Sequence, residues 1–334
     1  MIEWADRWQA DGCLEMCLIK LTELYVAEVD VSDVNTLFAL PNSVNRAAAF
    51  EGFQSMLKSW LVELFADVYA VVVDENLLQS FRQLEFPAVL AWTELDELAV
   101  ETENDVAALL ALWHGANVEM GQACSEEELI KLGQALCVCN LTPLYRRLTL
   151  PEFPWFKEHA GRASVFAALW DNGGAETVTE AKPELEFPIA WSAEARLGIL
   201  PDDASDRAMI TAFAPEAELR TMLQNSAANV RSAVYGDSTY WHGYFWRACV
   251  QLDRGSIGGF LNCVHHGPVP SPQFVQYSCI LNGPGDTTAF LVREKSGSGK
   301  NLLTGIGPIT SIAQLQPHFL NGGLEVCFTL SDVD

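Results

Sequence analysis

"LAVETENDVAALLALWHGAN", residues 98–117, decides how the first half of this chain is read. Thr102 stands just ahead of a periodic apolar run, and Asp105 follows three positions later. A Thr-x-x-Asp pair of this kind resembles a capping box, in which side chains at the two positions satisfy amides that the first helical turn leaves free. Val106, Leu109, Leu110 and Trp113 recur at helical spacing, so they predict one apolar stripe. Glu103 and Asp105 fall in the first turn, where the helix dipole favours negative charge. Gly115 is the expected C-terminal stop. The stripe needs partners, and Trp113 is expected to be a core residue.

The same period runs outward on both sides, and residues 3–160 read as helix after helix with short polar breaks. The N-terminal stretch puts Trp4, Trp8, Cys13, Cys17 and Leu21 on or near one stripe. A helix capped by Ser32 is expected to end at Pro41. Phe50, Phe53, Leu57, Trp60, Leu61, Leu64 and Phe65 form the next stripe. Shorter helices flank Pro87, and Ser125 with Glu128 forms a second capping-box pattern. The expected architecture is a helical bundle or repeat-like stack.

Beyond about residue 161 the texture changes. "NGGAETVTEAKPE" (172–184) reads as linker, so 161–183 is set aside as a connection. The stretches around 184–200 are short and β-like, and 201–229 is an ambiguous, irregular insert. From Val230 the apolar period is two. In "GLEVCFTLSD" (323–332), Leu324, Val326, Phe328 and Leu330 alternate with Glu325, Cys327, Thr329 and Ser331. Similar runs cover 240–253, 257–266, 273–282 and 287–294, separated by turn clusters such as "NGPGD" and "SGSGK". Strands joined by Gly/Pro turns with no helices between them predict an antiparallel sandwich. The fold class is therefore α+β multidomain: an all-α stack followed by a β-sandwich.

The chain has 334 residues, enough for two or three domains, and 49% of them are hydrophobic, so sizeable cores form without metal or disulfide staples. No apolar run approaches the roughly 20 residues that span a bilayer. "MIEWADRWQADG" lacks a basic region followed by an apolar one, so no secretory signal is expected. Nine cysteines without regular spacing suit a reducing interior, and the expected location is cytoplasmic or nuclear. The net charge of -24 is uneven: residues 1–230 hold thirty-seven acidic against fourteen basic side chains, and 231–334 seven against six. A surface this acidic repels phosphate backbones and argues against nucleic-acid binding.

"SGSGKN" (296–301) lacks the earlier glycine and the Ser/Thr after lysine that a phosphate loop needs, and reads as a turn. Cys137-x-Cys139 and the Cys13/Cys17 pair have no partners at zinc-finger spacing and read as small core residues. His265 and His266 are neighbours on a strand and point to opposite faces, against a shared metal. No metal site and no cofactor are expected. Cys263 and His265 share a face and offer the remaining nucleophilic reading, a Cys/His hydrolase. Leu261 on that face favours packing instead, so no catalytic residue is assigned.

The aromatic cluster "YWHGYFW" (240–246) stands apart. Alternation sends Tyr240, Tyr244 and Trp246 one way and Trp241 and Phe245 the other, with Gly243 permitting a bend or bulge. Both faces are then aromatic, so either both are covered or one is a contact surface. Tyr240, Trp241, Tyr244 and Phe245 are the candidate partner-binding residues.

Several stretches resemble a known family. "ADRWQADGCLEMC" (5–17) resembles the last helix of a BTB/POZ domain, and "LFALPNSV" (37–44) looks like the start of the following BACK domain. "LEFPAVLAWTELDELAVETENDVAALLALW" (84–113) is similar to the central BACK signature, in which Leu98, Val106, Leu110 and Trp113 would be core. "LCVCNLTPLYRRLTLPEF" (136–153) resembles its closing segment. "LEFPIAW…ARLGI" (185–199), "YWHGYFWRACVQL" (240–252) and "HFLNGGLEVCFTL" (318–330) are similar to the MATH/TRAF-like sandwich of plant and green-algal light-response BTB–BACK proteins. The resemblance implies a BTB remnant at 1–22, a BACK-like domain at 23–160 and a MATH/TRAF-like domain at 184–334. It further implies a non-enzymatic adaptor that recruits a protein substrate through the β domain for a cullin-3 RING ubiquitin ligase, together with a BTB partner. A scaffold without a ubiquitin link is the alternative.

Overall fold

The computed structural model describes residues 2–24, 29–142, 145–153, 155–156, 191, 196, 207–226, 232–253, 256–264, 274–282, 288–295, 304–308, 312–314, 316 and 321–331. An N-terminal helical region is followed by a C-terminal region of two antiparallel sheets. The chain divides into two compact units, one formed by Met1–Pro143 with Phe153–Pro201, the other by Leu144–Glu152 with Asp202–Asp334. The linker expected at 161–183 lies outside the described residues.

Helices α1 (Ile2–Arg7), α2 (Asp11–Leu21) and α3 (Val31–Phe38) open the helical unit. The first stripe is revised. Leu14 and Leu18 are the buried positions of α2, whereas Trp8 and Cys13 are exposed. The chain breaks between α1 and α2, with Gln9 at φ 52°, so one continuous helical phase does not run from Trp4 to Leu21. The cap of α3 is Asp30 rather than Ser32: its carboxylate accepts from the Asp33 N–H at 2.9 Å, and the Asp30 N–H donates back to Asp33 at 3.2 Å. An aspartate is as good a cap as a serine, and here it also has an acidic partner at the third position.

Helices α4 (Phe50–Phe65), α5 (Val68–Val73), α6 (Glu75–Arg82) and α7 (Phe86–Thr93) build the next layer. Asp67 and Asp74 cap α5 and α6 through their carboxylates. Phe53, Leu57, Trp60, Leu61 and Phe65 carry the buried face of α4, and Leu64 lies at its margin. Phe65, Phe81 and Trp92 meet edge to face, with centroids 5.4 and 4.7 Å apart, and the Trp92 indole N–H donates to the Phe65 carbonyl at 3.0 Å. Edge-to-face packing suits the aromatic quadrupole, and the hydrogen bond satisfies a polar atom that burial would otherwise strand.

α8 (Glu103–Glu119) occupies the middle of this unit, followed by α9 (Glu126–Ala135). Thr102 is extended, and its N–H donates to the Asp105 carboxylate at 3.3 Å. The single greasy face gives way to burial on every side: each residue from Glu103 to His114 is buried. Alanines at 107, 108 and 111 make this possible, because a face of methyl groups lets neighbouring helices close in where polar residues would otherwise be needed. The helix also runs through Gly115. Its stop is Gly121 at φ 76°: Gly121 N–H donates to Val118 O at 3.0 Å and Gln122 N–H to Asn117 O at 2.8 Å, the Schellman pattern. The second capping box forms as read: Ser125 N–H donates to Glu128 at 2.8 Å, and Glu128 N–H donates to the Ser125 hydroxyl at 3.3 Å.

Trp191 and Arg196 belong to the helical unit, not to a β domain starting at 184. The Trp191 indole N–H donates to Gly133 O at 2.7 Å and its ring stacks on Phe156 with centroids 5.5 Å apart. Conversely, 144–152, expected to close the helical domain, cluster with the sheets.

The sheets comprise β1 (Arg207–Pro215), β2 (Ser232–Trp241), β3 (Tyr244–Asp253), β4 (Ser256–Val264), β5 (Phe274–Asn282), β6 (Thr288–Lys295), β7 (Thr304–Pro308) and β8 (Gly323–Ser331). One sheet has the order β1-β8-β5-β6, the other β2-β3-β4-β7, and every pairing is antiparallel. The insert expected at 201–229 resolves, where described, into β1 and helix α10 (Glu216–Ser226). β1 alternates Ile210, Ala212 and Ala214 inward with Met209, Thr211 and Phe213 outward, and pairs along β8 from Arg207–Ser331 to Pro215–Gly323. Alanines at two of its three inward positions weakened the strand signal in the sequence.

Leu324, Val326, Phe328 and Leu330 of β8 are fully buried, as the alternation predicts. Gly259 of β4 faces them so closely that an added Cβ would lie 2.2 Å from Val326 Cγ2. Gly236 is tighter still. It sits where the β2–β3 register slips, and a Cβ there would lie 1.9 Å from the Thr211 carbonyl oxygen, a backbone atom that cannot rotate away. Gly236→Ala is therefore expected to destabilise the β unit by about 2–3 kcal/mol, the upper part of the range for overpacking. Gly52→Ala in α4, with nothing within 4 Å of the new methyl, is expected to be neutral or stabilising. Denaturant midpoints of the two variants test the contrast; a Gly236→Ala chain as stable as its parent would refute the close approach.

Candidate interaction site

The aromatic cluster folds into a hairpin. His242 and Gly243 have φ of 49° and 85°, the left-handed pair that a two-residue type I′ turn requires. The chain reverses there, so the alternation across 240–246 is reset. Tyr240 pairs with Phe245, with ring centroids 5.0 Å apart, and Trp241 pairs with Tyr244. Each cross-strand pair shares a face, which corrects the expectation that Tyr240 and Tyr244 point together.

Three of the four candidate partner-binding rings are inside. Tyr240, Trp241 and Tyr244 are buried, and Phe245 is half-buried. Within the same unit the Tyr244 hydroxyl hydrogen-bonds the Thr149 hydroxyl, and the Tyr145 ring lies 5.3 Å from that of Tyr244. Burial raises the Tyr244 phenol, against the opposing hydrogen bond from Thr149. The hairpin is thus a packing device that seats residues 145–152 against β3.

Outward-facing apolar groups lie elsewhere on the β unit. Met209 and Phe213 project from β1, and Tyr235 from β2, with the Arg247 guanidinium 4.3 Å from the Tyr235 ring centroid. Tyrosine and arginine are over-represented at binding hot spots. The sequence hid these positions: β1 fell in the ambiguous stretch, and Tyr235 meets Arg247 diagonally across the β2–β3 pair.

Cys263 stands on β4 opposite Trp246. Burial pushes its thiol up to about 12, so the nucleophilic thiolate is scarce near neutral pH. His265 and His266 lie outside the described residues. Native Cys263 is expected to resist alkylation by iodoacetamide up to about pH 9 and to react on unfolding. Rapid labelling of the folded chain at pH 7, mapped to Cys263 by peptide mass, would reinstate a reactive thiol.

In the helical unit the signature residues Leu98, Val106, Leu110 and Trp113 are all buried, and the Trp113 indole N–H donates to Leu84 O at 2.7 Å. Sequence reading missed the ion pair beside them. Glu103 and Arg196 have side chains only 1% and 2% exposed, and they join in a two-pronged contact: Arg196 Nη2 to Glu103 Oε1 at 2.7 Å, and Nε to Oε2 at 2.9 Å. Arg196 also donates to Leu95 O, and Glu103 accepts from the Cys137 N–H at 3.0 Å. Burial opposes the guanidinium charge, but hydrogen bonds and the negative charge of Glu103 outweigh it and hold Arg196 above its ordinary value. The two stand ninety-three positions apart in the sequence, with no period linking them.

No family model and no curated protein matches the chain. Its reading therefore rests on its own geometry.

An apolar groove lies at the N-terminus of the helical unit. α1, α2 and α3 enclose a groove of about 870 Å³, lined among others by Cys13, Met16, Cys17, Leu37 and Leu40. Met16, which lines it, is 68% exposed, and Trp8, Ile19 and Leu24 of the same N-terminal segment are exposed too, Trp8 by 65%. Arg46 ties this segment together, reaching Asp6 at 2.6 Å and Asp11 at 3.0 Å. The Ser43 hydroxyl, and then Arg46, hold the Asp6 carboxyl below its ordinary value against the effect of burial. Among the described residues no helix is long and apolar enough to cross a membrane, and no three His, Cys, Asp or Glu side chains converge on a metal position.

Proposed function

We propose that the chain is a non-enzymatic protein-interaction adaptor of BTB–BACK type, with a MATH/TRAF-like β unit, that recruits a protein substrate for a cullin-3 RING ubiquitin ligase. The observation that carries this reading is the groove between α2 and α3. The two stretches that resemble the end of a BTB domain and the start of a BACK domain line it together. Large exposed apolar groups rimming such a groove mark interaction surfaces on soluble proteins. The helical unit would serve as the arm toward the ligase in the cytoplasm or nucleus. The β unit would hold the substrate through Met209, Phe213 and the Tyr235–Arg247 pair rather than through the buried hairpin. Recruitment acts by raising the local concentration of the substrate, so no reacting group is needed.

Co-precipitation with cullin-3, with and without a full-length BTB partner, tests the ligase link. Association that depends on the BTB partner and is lost in Trp8→Asp/Met16→Asp is expected. No association under either condition would overturn the ubiquitin reading and leave a scaffold.

A further inference from the structure

Cys13 and Cys17 were expected as small core residues, but Cys13 is exposed and Cys17 only half-buried. Packing therefore does not account for them. They stand one turn apart on α2, the spacing that sets side chains over one another on a helix face. Burial first, then the neighbouring Cys13, raises the Cys17 thiol. Met16 falls three positions after Cys13 and beside Cys17, and all three residues line the α1–α3 groove.

We propose that Cys13, Met16 and Cys17 form a binding site for a soft monovalent cation, Cu(I). Thiolate and thioether donors select Cu(I), whereas structural zinc wants four nitrogen or sulfur ligands in a closed tetrahedron. Binding exchanges two thiol protons for one Cu(I), leaving a bis-thiolate centre of net charge -1 with Met16 as a weaker third donor. No electron is transferred. Lys20, one turn beyond Cys17, lines the same groove and supplies a positive charge beside that anion; in the free protein it pairs with Glu23 at 2.7 Å. The apolar groove residues Ile2, Leu21, Leu37 and Leu40 lower the local polarity, which strengthens the attraction between ion and thiolates.

The test is anaerobic titration of the reduced, full chain with Cu(I) held by the competing chelator bicinchoninate. The expected result is one tightly bound ion, ultraviolet thiolate-to-copper absorption and release of protons. Cys13→Ser and Cys17→Ser are each expected to weaken binding by about 100-fold, the upper end of losses seen when groups supporting a metal site are removed, and Met16→Leu by about 10-fold. Cys124→Ser should leave binding unchanged, since burial holds the Cys124 thiol at about 11. Circular dichroism guards against misfolding, which an exposed Cys13 makes improbable as a cause. A Cys13→Ser/Cys17→Ser chain that takes copper from the chelator as well as its parent, or an X-ray absorption edge showing nitrogen or oxygen ligands in place of sulfur, would overturn the site.

Discussion

Replacing Trp113 with alanine is expected to destabilise the helical unit by roughly 3–5 kcal/mol, the range for deleting a buried aromatic. Trp113 is almost fully buried on the central helix α8, and its indole N–H satisfies the Leu84 carbonyl at 2.7 Å. The alanine chain loses the ring's burial, opens a cavity among side chains on every side and strands that carbonyl. Trp113→Phe separates these contributions. It keeps most of the apolar volume but removes the donor, so a loss of about 1–3 kcal/mol is expected from the unsatisfied acceptor. Urea unfolding followed by helix ellipticity measures both. A loss below about 1 kcal/mol for Trp113→Ala would show that α8 is not packed all round.

Breaking the Glu103–Arg196 pair should be as damaging. Glu103→Ala leaves a buried guanidinium with no counter-charge, and Arg196→Ala leaves a buried carboxylate; each is expected to lose about 3–5 kcal/mol. The pair itself is not worth that much. Its attraction is largely offset by the cost of taking two charges out of water, so Glu103→Leu/Arg196→Met should recover most of the loss. The four-way cycle among parent, singles and double isolates the coupling. Salt gives a second readout, because a pair this buried is barely screened and the single variants should remain unstable from 0.05 to 1 M NaCl. Additive losses in the double variant would show that the two side chains do not meet.

Local chemistry written within four or five residues was legible. The Ser125–Glu128 box, the strand runs at 244–253 and 323–331 and the burial of Trp113 follow from caps, periods and side-chain size. What failed did so for identifiable reasons. Gly115 looked like a stop, but a glycine ends a helix only where the chain turns left-handed, and the packing of α8 carries the helix on to Gly121. β1 was hidden because its inward residues are two alanines and one isoleucine. The hairpin at His242-Gly243 was read as one strand, which placed two of four aromatic side chains on the wrong face. Partnerships across long separations left no local mark at all: Trp191 with Gly133, Arg196 with Glu103 and Thr149 with Tyr244 are each set by tertiary packing. The candidate surfaces followed suit, since burying the hairpin moved exposure to Tyr235, Met209 and Phe213.

The assignment of 144–152 to the β unit and of 153–201 to the helical unit means that the polypeptide passes between its two bodies three times. No single scission can therefore release either one whole. A fragment ending at 160 would carry Glu103 without its cation and Gly133 without its indole, and a fragment beginning at 184 would carry a β body lacking the Thr149 hydroxyl. A cut or fusion junction at 161–183 would therefore damage both products.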